Sequence, residues 1–251
     1  FGLPPFAERF AAAGLAVLLF DYRGFGDSQG RPRNYVNPTR HLQDWQAAVE
    51  TARTLPGVDG ERLGLWGTSF SGGHVLVTAA RLPGIRAVVA QVPFVDGIAS
   101  SLLFPPTLLP LAVPRILADI AAELSGRPRV LVPVVGPSGL RCLTGPDCEQ
   151  GALRLVPEGM QFDNAVPARI LLDIVLYRPT AEVSRIQAPV LIIAARNDSL
   201  IPYSAVERAA RKMTDCRLQP LDAGHFDPYF DELFEQVSTL ERDFLVERLR
   251  G

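Results

Sequence analysis

The sequence predicts an α/β domain, in which a mostly parallel β-sheet is covered by helices on both faces. Segments with strand character alternate with segments of helical periodicity near both ends of the chain, which is typical of this class. Residues 190–195 are continuously apolar, as buried parallel strands are. The 251 residues, 47% of them hydrophobic, suffice for one large domain with an insertion.

The first part of the chain is predicted to contain three helices and three strands in alternation. Residues 6–13 predict a helix, and the apolar run 16–21 predicts the first strand. Residues 38–54 predict a second helix because apolar side chains recur there at helical spacing. Two further strands are expected at 63–67 and 87–92, with a helix between them.

The last part of the chain returns to the same alternation. The buried strand at 190–195 is followed by a predicted helix at 204–213. A strand beginning at Arg217 and a closing helix at about 228–249 complete the pattern. Both parts are therefore expected to contribute to one sheet.

Residues 97–180 interrupt the alternation. Proline recurs ten times between 105 and 167, and helical patches occur only near 111–124 and 166–176. Because this segment enters after one strand and leaves before another, we expect a largely helical cap over the carboxyl ends of the strands, lining an apolar pocket. The predicted core is then residues 1–96 and 181–251. The alternative is an irregular packing insertion that never touches substrate.

Gly67-Thr68-Ser69-Phe70-Ser71-Gly72-Gly73 lies between a predicted strand and a predicted helix. Small neighbours permit a sharp turn that lifts the Ser69 hydroxyl above the sheet, the arrangement called a nucleophile elbow. We therefore predict Ser69 as a nucleophile. Ser71 stands where the pattern G-x-S-x-G has glycine, and the alternative is a tight turn without chemistry.

Asp198 and His225 each follow a predicted strand, at the end where parallel sheets place functional residues. We predict Asp198 as the acid of a catalytic triad; alternatively, it only caps a turn or the next helix. Of the three histidines, His225 alone lies in such a loop and is predicted as the base. We expect His41 at the surface of a polar-faced helix, and His74 to pack or cap.

The predicted roles follow from proton chemistry. A serine hydroxyl is a weak nucleophile at neutral pH, so His225 would take its proton and later deliver it to the leaving group. Asp198 would accept the other imidazole N–H and fix the tautomer. The backbone N–H of Phe70, directly after the nucleophile, would donate to the oxyanion.

Taken together, these segments resemble the α/β-hydrolase superfamily. The resemblance rests on the loop Asp21–Ser28, the elbow 67–73, the acid segment 191–198 and Gly224-His225. It is closest to a branch of dienelactone-hydrolase-like esterases, peptidase-like hydrolases and polyketide transferases. Haloalkane dehalogenases and epoxide hydrolases of the superfamily carry aspartate at the elbow, which disfavours their chemistry here.

The resemblance also implies that early strands are missing. In this family a strand and a glycine-rich loop precede the first helix, and that loop gives the second oxyanion N–H. The sequence opens at Phe1-Gly2-Leu3-Pro4-Pro5, already at the helix entrance. Cleavage, supply by another chain, a truncated gene or omission from the sequence would each account for this.

Three functions remain open from the sequence. The first is hydrolysis of an ester or thioester with a mostly apolar acyl group. The second is transfer of that acyl group to an alcohol through the same acyl-serine. The third is a non-catalytic binding domain that lacks the oxyanion loop.

Composition limits the kinds of molecule that the protein is expected to bind. A net charge of −2 gives no reason to expect nucleic acid or an anionic membrane, and we expect a small-molecule substrate. No cofactor is expected, nor a metal, since no histidine lies near Cys142 and Cys148. Those two could form a local disulfide, but reduced thiols and a cytoplasmic location are favoured, since no signal peptide or long apolar run occurs. Substrate-binding residues and oligomeric state stay unassigned.

Overall fold

A computed structural model describes residues 1–250 and contains a four-stranded parallel sheet. Its strand order is β1-β2-β5-β6, and a separate antiparallel pair joins β3 to β4. The strands are β1 (Leu63–Thr68), β2 (Ile85–Gln91), β3 (Leu131–Val132), β4 (Val166–Pro167), β5 (Val190–Ala195) and β6 (Cys216–Leu221).

Nine α-helices are found within the described residues. They are α1 (Pro4–Ala12), α2 (Pro38–Thr54), α3 (Phe70–Arg81), α4 (Gly97–Ser101), α5 (Leu109–Leu124), α6 (Cys148–Arg154), α7 (Ile170–Leu176), α8 (Tyr203–Ala210) and α9 (Asp231–Arg250). Across residues 1–250, no helix combines the length and the apolar character needed to cross a membrane.

The main sheet is covered by helices on both faces, as predicted. Alternate side chains of a strand point to opposite faces, so Val88 and Ala90 join a core beneath α2, α3 and α8. Ala87 and Val89 join a second core beneath α1 and α9. Strands β2 and β5 are therefore buried on both sides, which explains their continuous apolar sequences.

Most predicted elements lie within a few residues of those observed. The helix expected at 38–54 has those bounds, with Pro38 as its first residue. The Asn37 side chain accepts the Arg40 N–H at 3.0 Å and so satisfies one free donor of the first turn. The helix expected over 166–176 begins only at Ile170, because β4 pairs with β3 instead.

The prediction of a strand at 16–21 is wrong. This stretch has no regular secondary structure, and Val17, Leu18 and Leu19 are 41–49% exposed. A groove of about 530 Å³ lies between this stretch and the outer edge of β1, and α1, α2 and α9 also contribute apolar side chains to its lining. A strand forms only where a neighbour completes its hydrogen-bond ladder, and no described strand pairs with residues 16–21.

The 97–180 segment contains α4 to α7 and the β3–β4 pair. Its centre is a buried carboxylate, Asp119, which Arg129 contacts through two hydrogen bonds of 2.7 Å. The backbone N–H groups of Val130 and Arg169 donate to the same carboxylate. These contacts hold the Asp119 pKa below its usual range even though desolvation acts to raise it, and they fix the fold of the segment.

Candidate active site

Ser69 is the single residue between β1 and α3. Its φ of 53° is positive, which is uncommon and strained for a residue with a side chain. Two backbone hydrogen bonds hold it there: its N–H donates to Gln91 O at 2.9 Å, and its carbonyl accepts from Phe94 N–H at 2.8 Å. The predicted sharp turn is therefore present, with the serine at its apex.

Glycines around the turn are required by close backbone contacts. A Cβ at Gly67 would lie 2.5 Å from the Ser71 carbonyl oxygen, and one at Gly73 would lie 2.2 Å from the Phe94 oxygen. Such distances are too short for any side chain. The glycines of this motif are therefore needed because α3 packs against its neighbours at distances that leave no room for a side chain.

The side chains of the predicted nucleophile, base and acid are in hydrogen-bonding contact. Ser69 Oγ lies 2.9 Å from His225 Nε2, and His225 Nδ1 lies 2.7 Å from Asp198 Oδ2. The His225 and Asp198 side chains are each only 3% exposed. Water is therefore largely excluded from the imidazole and the carboxylate.

The Asp198 side chain makes the contacts that each of the two interpretations left open by the sequence requires. Its Oδ1 accepts the N–H groups of Leu200 at 2.8 Å and Ile201 at 2.9 Å, which closes a local turn. Its Oδ2 faces the imidazole. The turn leaves one carboxylate oxygen for His225 and fixes the direction in which it points.

Phe70 is the first residue of α3, so its N–H has no acceptor within the helix. Its ring packs among aromatic neighbours, with centroid distances of 4.7 Å to His74, 5.3 Å to Phe94 and 5.4 Å to Tyr177. This packing fixes the backbone of the residue whose N–H is the predicted oxyanion donor.

The expectation of a surface His41 is wrong, whereas His74 packs as expected. Both are buried, with His41 Nδ1 3.3 Å from His74 Nε2 and His74 Nδ1 2.8 Å from the Tyr177 hydroxyl. Burial lowers the pKa of His41 to about 4 and that of His74 well below its ordinary value. The missed signal is spacing: His41 lies one and two turns before the inward-facing Trp45 and Val49.

Sequence reasoning also missed why Ser71 replaces glycine. Its hydroxyl is 2.7 Å from the Tyr22 hydroxyl, which also accepts the Trp45 indole N–H at 2.7 Å. Burial raises the pKa of Tyr22 to about 12, so the phenol keeps its proton. Ser71 thus ties the first turn of α3 to the loop after residue 21.

A second polar cluster supports the elbow from the opposite face of the sheet. Thr68 Oγ1 lies 2.5 Å from the Tyr229 hydroxyl and accepts from the Gln91 amide at 3.1 Å. The Trp66 indole donates to Glu241 at 2.9 Å. Glu241 is fully buried, and burial raises its pKa to about 8.

Comparison with known families finds one match over most of the chain. The family model described as serine aminopeptidase, S33 matches residues 3–225. The quorum-quenching protein AidA of Acinetobacter baumannii is 43% identical over 244 residues, covering 97% of this chain and 80% of that protein. The thiohydrolase aneE of Aspergillus aculeatus is 33% identical over 141 residues, covering 55% of this chain and 44% of that protein.

The polyketide transferase grgF of Penicillium sp. is 31% identical over 137 residues, covering 55% of this chain and 45% of that protein. The solved structure of the α/β hydrolase GrgF from Penicillium sp. sh18 superposes with a TM-score of 0.81 over 99% of this chain and 85% of that one. Its sequence identity in that superposition is 24%, so the likeness establishes the fold.

Proposed function

The chain belongs to the serine aminopeptidase S33 family of α/β hydrolases, and from that premise we propose that it is a serine hydrolase. Its proposed substrate is a carboxylic ester or thioester with a mostly apolar acyl group. The observation that carries the proposal is the unbroken hydrogen-bonded line from Ser69 through His225 to Asp198. Such a line on a strained elbow is the arrangement that activates a serine.

The proposed reaction has two steps. His225 Nε2 takes the Ser69 proton as Oγ attacks the carbonyl carbon, and the Phe70 N–H donates to the resulting oxyanion. The intermediate collapses to an acyl-serine while His225 gives the proton to the leaving alcohol or thiol. Water then attacks the acyl-serine and loses a proton to His225, which returns it to Ser69 Oγ as the Oγ–acyl bond breaks and the acid is released. Asp198 stabilises the imidazolium in both steps.

The relatives and the 97–180 segment support the proposed substrate class. The likeness to a thiohydrolase favours a thioester, and the likeness to a quorum-quenching protein favours a small ester used as a signal. We assign the 97–180 segment as a cap, because its Asp147 accepts a hydrogen bond from Ser199 beside the acid, and its largely aliphatic sequence suits an apolar acyl group. A cytoplasmic location is part of the proposal, supported by the free thiols of all three cysteines.

Acyl transfer to an alcohol is the second candidate, because the relatives include a polyketide transferase. Both reactions share the acyl-serine and differ in the molecule that accepts the acyl group. Product analysis with alcohols added to the assay separates them: free acid alone supports hydrolysis, whereas a new ester supports transfer.

The decisive test replaces Ser69 with alanine. With p-nitrophenyl esters of graded chain length, Ser69→Ala should lower kcat/KM by about 10³–10⁶-fold, because no nucleophile remains. Ser125→Ala, at an exposed serine after α5, is the matched control and should behave like the wild type. An unchanged rate in Ser69→Ala would remove Ser69 as the nucleophile. Failure of a fluorophosphonate probe to label the wild type would favour the non-catalytic alternative.

A further inference from the structure

The loop that carries Asp198 is in direct contact with the 97–180 segment. Ser199, the next residue, donates its hydroxyl proton to Asp147 Oδ1 at 2.5 Å, from a position 52 residues further along the chain. A Cβ at Gly145 would lie 2.2 Å from Ser199 Oγ and 2.8 Å from Ser199 Cβ, so the Ser199 side chain fits against residue 145 only because that residue is glycine.

The loop that carries His225 is in contact with the same short stretch. A Cβ at Gly151 would lie 2.3 Å from the ring of Phe226, which directly follows the histidine. The Phe226 ring in turn lies edge-on to the imidazole, at a centroid distance of 5.1 Å. Gly151 itself is tied to the start of α6, since its N–H donates to the Asp147 carbonyl at 2.8 Å.

We propose that residues 145–151, here termed the brace, hold the acid loop and the base loop in register with Ser69. Asp147, Gly151 and Ser199 are then positioning residues of the reaction proposed above, on which this inference rests. Asp198 and His225 lie on loops after two different strands, and their 2.7 Å contact depends on how those loops are placed. A single rigid turn that packs on both loops fixes that distance.

The brace has a consequence for substrate entry. Lifting residues 145–151 would release Ser199 and Phe226 together and so loosen the contact between Asp198 and His225. Substrate therefore enters by a path that leaves the brace seated. Any movement of the 97–180 segment during turnover takes place elsewhere in that segment.

The first test adds one methyl group at the contact and one away from it. Gly151→Ala should lower kcat by about 10–100-fold with KM within about twofold, because displacement of catalytic groups by about 1 Å costs rates of that order. Gly136→Ala is the control in the same segment, since nothing lies within 4 Å of its Cβ position. Wild-type kcat in a folded Gly151→Ala protein would overturn the proposal.

The second test works through Asp147 and keeps the proposal testable if Gly151→Ala does not fold. Asp147→Ala removes the acceptor of the Ser199 hydroxyl, whereas Asp147→Asn retains an oxygen there. We expect Asp147→Ala to lower kcat and Asp147→Asn to restore most of it. Equal kcat in Asp147→Ala and the wild type would count against the brace.

A spectroscopic readout separates this inference from the proposed function. The proton shared by His225 Nδ1 and Asp198 should give a far-downfield NMR resonance that broadens or shifts in Asp147→Ala and Gly151→Ala but not in Gly136→Ala. This measurement needs no turnover. A wild type that hydrolyses no ester defeats the proposed function, whereas an unaltered resonance in both brace variants defeats the brace.

Discussion

The two sides of the candidate site are held in place by different means. Ser69 is fixed by its own neighbours in the chain, β1 and α3, and by polar clusters on both faces of the sheet. Asp198 and His225 instead project from loops that pack against residues 145–151, far away in sequence. The nucleophile is thus positioned by local folding, whereas the loops of the acid and the base contact a segment that is distant in sequence.

Among substitutions that leave the nucleophile itself in place, the largest expected effect comes from the side that carries the acid and the base. Asp198→Asn should keep the turn to Leu200 and Ile201 but present the wrong charge and hydrogen-bonding pattern to His225. We expect kcat to fall by about 10³–10⁴-fold. Asp222→Asn is the control, because the carboxylate of Asp222 is exposed and lies before the His225 loop. Its rate of ester hydrolysis should equal that of the wild type. A fall below tenfold in Asp198→Asn would show that the imidazole is oriented without its carboxylate.

A smaller effect is expected from the nucleophile side. Tyr22→Phe leaves the Trp45 indole and the Ser71 hydroxyl without their shared partner, which should lower the free energy of unfolding by about 1–3 kcal/mol. Because β1, α3 and the other polar cluster still hold the turn, kcat should fall less than tenfold. Urea unfolding and ester kinetics measure both quantities, with Tyr203→Phe as control. A fall in kcat as large as that of Asp198→Asn would erase the contrast between the two sides.

The smallest effect on turnover is expected from the cluster beneath Trp66, where the change is in the dependence of stability on pH. The Glu241 pKa is raised to about 8 by burial, against about 4.3 for a free glutamate. The folded protein therefore holds this proton at pH values where the unfolded chain has lost it, and the resulting stabilisation disappears as pH rises through about 8. The side chain at position 241 cannot ionise in Glu241→Gln. The Tm of this variant, relative to the Tm of the wild type, should therefore increase as the pH is raised from 5 to 9.

The control for this measurement is Glu247→Gln, at an exposed glutamate of the same helix. Its Tm should follow the wild type at every pH. Parallel Tm curves for Glu241→Gln and the wild type would mean that the buried carboxyl does not take up a proton on folding.

The features that could be predicted from the sequence are the local ones, and those that could not depend on long-range contacts. Strong local patterns predicted the elbow, the acid loop and the base loop, because a glycine-flanked serine and polar residues after apolar strands are local signals. The burial of His41 does not follow when the start of α2 is interpreted as polar-faced, but Trp45 and Val49, one and two turns later, place His41 on the face that packs on the core. The brace left no local signal, since Gly145 and Gly151 resemble ordinary loop and helix glycines until Ser199 and Phe226 are seen against them.

The prediction of a strand at 16–21 is wrong for a different reason. Its continuous apolar pattern is that of a strand, but pattern alone does not supply a pairing partner. A groove lies where the adjoining ladder would form. Secondary structure in a sheet is therefore a property of neighbours, and a single segment cannot predict it.

That groove also marks where the sheet can be extended. Along the border of β1 that faces it, backbone donors and acceptors stand beside aliphatic side chains, and residues 16–20 line the other side. An extended segment laid in the groove would pair with β1 through main-chain hydrogen bonds and would give residues 16–21 the neighbour that they lack.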